Sequence, residues 1–141
     1  MYQHGLLLPV LALVAWTLVI WTWMVSDRVA TMRREKIHPQ KAVRTRTFEL
    51  PGKGMWISDN YNHLMEQPTI FYAAALAAQL AGQADAINIG LAWTYVAIRV
   101  VHSILQTTSN VVMQRFYAFV LSTLVLAVLV GRTIYALLAS P

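Results

Sequence analysis

The chain has 141 residues, 57% hydrophobic and 12% charged, with a net charge of +5, a pI near 9.9 and no cysteine. A soluble domain carries about 25% charged residues, so this composition excludes an ordinary soluble fold and points to a single membrane domain spanning 1–141. The missing cysteine excludes disulfides, thiol nucleophiles and thiolate metal sites.

Residues 1–26 carry no formal charge. Leu6 to Val25 supplies enough apolar positions, at about 1.5 Å per residue, for a hydrocarbon core of roughly 30 Å. The opening "MYQHG" lacks the basic start of a signal peptide, and no small-residue cleavage site follows, so a retained helix is expected over about 4–36. "RVATMRREKI" prolongs it past the interface, where basic side chains reach lipid phosphates, until Pro39 stops it.

A loop over about 37–59 comes next. The stretch Asp27 to Asp59 holds eight of the eleven Lys and Arg residues, which makes the loop cytoplasmic and puts both termini on the other side. That topology accounts for the basic charge and leaves no reason to invoke nucleic acid. "LPGKGM" reads as a turn. Lys53 is followed by Gly54 where a phosphate-binding loop needs Ser or Thr.

The second helix is expected over about 60–82, with Pro68 removing a backbone donor and kinking it, and with "AGQADA" as the closing turn. The third covers about 87–108 and the fourth about 112–139, interrupted only by Gly131 and Arg132. The fold class is therefore all-α, an integral membrane four-helix bundle. The four histidines show no ligand spacing, and no metal site is expected.

On the third helix Arg99, His102, Ser103, Gln106 and Asn110 recur at intervals of three and four, which aligns them on one face. Val96, Val100, Leu105 and Val112 are assigned to the opposite, apolar face. Charge at bilayer depth must turn towards protein or water. Glu66, at similar depth on the second helix, is the expected partner of Arg99, and removing either member should destabilise by about 3 to 5 kcal/mol. The two could equally line a polar cleft for an anionic amphipathic ligand or simply hold helices in register.

Residues 66–119 also resemble the bacterial branch of the MAPEG family, the membrane-associated proteins in eicosanoid and glutathione metabolism. The resemblance rests on Glu66, Pro68, Phe71 and Tyr72, on Arg99-Val100-x-His102-Ser103, and on Asn110 followed by Arg115 and Phe116. It implies a homotrimer in the bacterial inner membrane with glutathione as cofactor, bound between subunits near the cytoplasmic face. It also implies transferase or peroxidase chemistry on a lipophilic small molecule. Arg115 falls on the arginine that stabilises the thiolate in the prostaglandin E synthase branch. Glu66, Asn62, His63, Arg99, His102 and Arg28 are the implied cofactor-binding residues.

Four positions depart from the pattern, one of them His63, which stands where the branch has an asparagine unless a one-residue slip lets Asn62 serve. Asp59 stands where a carboxylate-clamping arginine is expected, and Gln106 and Ser109 replace a histidine and a tyrosine of the third helix. Two readings therefore stay open: an enzyme of this type, and a non-catalytic scaffold, lipid-binding protein or accessory subunit that has lost the glutathione clamp.

Overall fold

The computed structural model describes residues 4–38, 40 and 54–139. These form four helices: α1 Leu7–Arg34, α2 Gly54–Leu80, α3 Ala86–Thr108 and α4 Val112–Ala139. The expected loop residues Lys41, Arg44, Arg46 and Lys53 lie outside the described residues. The described chain is all-helical, as expected.

Each helix end has a local cause. α1 stops at Lys36, whose φ of 52° turns the chain so that Ile37 N–H reaches the Met32 carbonyl at 2.9 Å. α2 stops at Gly82, φ 72°, with the Gln83 N–H returning to the Ala78 carbonyl at 2.8 Å. Glycine adopts that left-handed geometry at no steric cost, which is the physical content of the "AGQADA" turn. α3 starts with Asp85 accepting from the Asn88 N–H at 2.7 Å and ends at Asn110, φ 52°, whose N–H bonds the Leu105 carbonyl at 2.7 Å.

One expectation about α2 needs correction. It starts at Gly54, so Gly54 and Met55 are helical and not part of a turn, six residues earlier than expected. Its first half is polar, and among the described residues the helices long and apolar enough to cross a membrane are α1, α3 and α4. α2 runs through Pro68 unbroken, while the Thr69 hydroxyl donates to the Glu66 carbonyl at 2.6 Å.

α3 and α4 form the most extensive pair; α1 packs on α2 and α3, and α2 also meets α4. The core between them is modest: Leu6, Leu13, Ile20, Phe71, Tyr95 and Leu129, with Ala75, Ala78 and Ala92 where backbones approach. Small residues suit such contacts, because association in lipid depends on close packing. The exterior is apolar, with Leu8, Leu11, Leu18, Trp23, Ile70, Trp93, Val101, Leu124 and Val128 all exposed. Apolar side chains outside and polar ones within are what a bilayer requires of a bundle.

Candidate functional site

The polar stripe of α3 is buried: Arg99 is 1% exposed, Gln106 and Ser103 0%, and His102 5%. Val96 belongs to this face as well, since it precedes Arg99 by three residues and is itself buried. The membrane side of α3 is instead Trp93, Val101 and Ile104.

The expected Glu66–Arg99 ion pair is not formed. Glu66 bonds His63 Nδ1 at 3.2 Å and keeps 67% of its side chain exposed. The physical reason is azimuth. Ile57, Asn60, Leu64, Pro68 and Phe71 fix the buried face of α2, and Glu66 lies on the opposite side of the helix despite its matching depth. Asn62 is also exposed on that outer side.

Arg99 takes its contacts from aromatics. Its Nε donates to the Tyr95 hydroxyl at 3.2 Å, and its guanidinium lies 5.4 Å from the Tyr95 ring centre and 5.3 Å from that of Phe119. Phe71 stacks on Tyr95 at 4.4 Å, extending the column. The arginine Nη2 is buried with no partner.

Arg115 continues the buried register of α4, namely Ser122, Leu126, Leu129 and Thr133, towards the start of the helix. Its Nη1 donates to Asn110 Oδ1 at 2.6 Å, and Nη2 lies 3.5 Å from His63 Nε2. A neutral His63 with its proton on Nδ1 serves both neighbours, donating to Glu66 and accepting from Arg115. Arg115 Nε is buried and unpaired.

His63, His102, Val112, Arg115, Phe116 and Phe119 line a groove of 300 Å³ where α2, α3 and α4 meet. The two imidazoles face each other edge-on, 6.1 Å between centres. Beneath the groove Asn60 donates to the Ser103 hydroxyl at 2.5 Å. The Asn60 Oδ1 and both amide atoms of Gln106 are buried without partners. Among the described residues, the Arg99 and Arg115 guanidiniums face only the outward-turned Glu66 here, a balance of charge that suits an anion.

Of the expected site residues, the groove brings together Arg115, His63 and His102. Arg99 stands one aromatic ring behind it, and Glu66 touches it only through His63. Asn62 and Arg28 lie outside: Asn62 points away, and Arg28 is exposed on α1, a helix that contributes nothing to the groove. Asp59 is exposed and is not among the lining residues. The aromatic wall of Phe116 and Phe119 was legible only in part. Phe119 follows Arg115 by four residues, the spacing that sets a ring beside a cation on one helix face.

A bundle of membrane helices around a cationic intramembrane groove defines the class of protein. The MAPEG family model matches residues 6–135, and the chain belongs to the MAPEG family. No curated protein and no solved structure matches the chain.

Proposed function

We propose that the protein is a glutathione-dependent transferase or peroxidase acting on lipophilic electrophiles that enter from the bilayer. The observation that carries this reading is Arg115: a guanidinium held on one side by Asn110 and flanked on the other by His63, at the wall of an otherwise aromatic groove. The groove is at the small end of ligand sites, which run from about 300 to 1,000 Å³. Its unpaired Arg115 Nε and its cationic surroundings fit an anionic thiol ligand.

When bound, glutathione supplies the nucleophilic sulfur. Arg115 contributes a fixed positive charge, which favours thiolate over thiol and lowers a thiol pKa from its usual value of about 8.5. His63 keeps the guanidinium oriented, with Glu66 fixing the imidazole tautomer from outside. Phe116 and Phe119 exclude water and offer an apolar approach for the electrophile.

The protein in this reading assembles as a homotrimer, in which Arg28, outside the groove of its own chain, would reach the groove of a neighbouring copy. In this reading the protein sits in the bacterial inner membrane with the groove at the cytoplasmic side and both termini opposite, as the basic residues after α1 favour.

A second reading, a non-catalytic scaffold, lipid-binding protein or accessory subunit, draws on Arg28, Asn62 and Glu66, which stand outside the groove within one chain. Titration of purified protein with glutathione, followed by thiolate absorbance at neutral pH, separates the two. The enzyme reading expects a thiolate band that Arg115→Ala abolishes while assembly persists. Folded, assembled protein that binds no glutathione would sink it.

A further inference from the structure

The outside of α1 carries a continuous strip of exposed residues. Leu13, Thr17, Ile20 and Thr31 mark the face of α1 that packs into the bundle. Val19, Thr22, Ser26, Val29 and Arg33 repeat at intervals of three and four on the opposite side. Two concavities share this strip. The first, 500 Å³, is bounded by Leu18, Val19, Thr22, Trp23 and Ser26. The second, 460 Å³, is bounded by Val29, Met32, Arg33, Lys36, Ile37 and His38 where the chain folds back at the end of α1.

Their chemistry differs by depth. In the first, the Thr22 and Ser26 hydroxyls bond the Leu18 and Thr22 carbonyls at 2.8 Å each, so the strip offers no free donor to the hydrocarbon. In the second, Glu35 is taken up by Arg34 at 3.0 Å, and among the described residues Arg33 and Lys36 have no carboxylate partner. From Val19 to Arg33 the helix rises about 21 Å. That matches one leaflet of a bilayer roughly 40–45 Å thick with its headgroups.

We propose that this strip binds one anionic glycerophospholipid, with an acyl chain along Val19 to Ser26 and the phosphate at Arg33 and Lys36. Charge complementarity selects the headgroup, and the apolar upper strip selects a lipid over a free phosphate.

The test uses full-length protein in detergent, titrated with phosphatidylglycerol and phosphatidylcholine, with bound lipid counted by native mass spectrometry. Phosphatidylglycerol is expected to bind in preference. Each basic side chain near a membrane surface contributes roughly fivefold, so Arg33→Gln with Lys36→Gln should weaken it roughly 25-fold. Ser26→Trp, which fills the upper strip, should displace the lipid while thermal stability and assembly persist. Equal binding of phosphatidylcholine, displacement by millimolar inorganic phosphate, or an unchanged double variant would each overturn the site. So would disulfide formation between copies carrying Thr22→Cys, possible to read cleanly in a chain without cysteine, because a second copy would then occupy the strip.

Discussion

The two ends of the α3–α4 pair hold similar residues and treat them differently. At the non-groove end Arg132 Nε donates to Asn88 Oδ1 and Nη2 to Asp85 Oδ2, both at 3.0 Å. Asn88 in turn donates its side-chain amide to the Gln83 carbonyl at 2.8 Å, and Asp85 caps α3. That network is closed, and it ties the α2–α3 turn to α4. At the groove end Arg99, Gln106, Asn60 and Arg115 all retain buried polar atoms with no partner. Buried polar groups are normally satisfied, so an open network marks where something else belongs, whereas a closed one explains itself.

Substitutions can break this contrast. The largest expected effect is at the open end. On the proposed enzyme reading, Arg115→Ala should lower turnover about 10²-fold or more, the usual loss when one preorganised charge-stabilising donor is removed. Steady-state rates at saturating glutathione would measure it, and an unchanged rate would dismiss Arg115 from the chemistry.

Next come two amide-to-leucine changes of similar size and opposite sign. Asn88→Leu strips partners from Arg132 and Gln83 and should destabilise by about 1 to 3 kcal/mol. Gln106→Leu removes an amide that bonds nothing and should be neutral or stabilising by up to about 2 kcal/mol. Thermal unfolding in detergent ranks the pair; strong destabilisation by Gln106→Leu would mean that its amide holds internal water or ligand.

Asp85→Ala should cost about 1 kcal/mol through the lost cap. The Asn88 backbone N–H, and then the Arg132 charge, hold the Asp85 carboxyl below its usual range. Its folded-state pKa is depressed, so its contribution is complete above the ordinary carboxylate value of about 3.9 and fades as pH falls through the lower folded value. Unfolding midpoints of wild type and Asp85→Ala should therefore converge only in strong acid.

The smallest effect belongs to Glu66→Gln, below about 1 kcal/mol, because the carboxylate is exposed and its pair with His63 is screened. A loss of 3 kcal/mol or more would restore a buried role for it.

The same contrast shows what could be read from sequence. The α3 stripe was legible because three- and four-residue spacing needs only helix periodicity, and Arg99, His102, Ser103 and Gln106 are all buried as that spacing requires. The front of α2 was not, since Gly54, Ser58 and Asp59 resemble a loop until tertiary contacts with α1 and α3 hold them helical. The Glu66 partnership failed because depth is only one coordinate; the angular position emerges once the buried face of α2 is known. The Arg132 clamp escaped notice because its partners lie 44 and 47 residues away.

Asn110 joins these themes. It occupies the left-handed position that terminates α3, and its side chain anchors Arg115. Only glycine, asparagine and aspartate adopt that backbone readily. Glycine there would keep the helix end and release the guanidinium. Aspartate would keep both but place a negative charge against it. The residue at position 110 thus sets the charge held against Arg115 independently of how α3 ends.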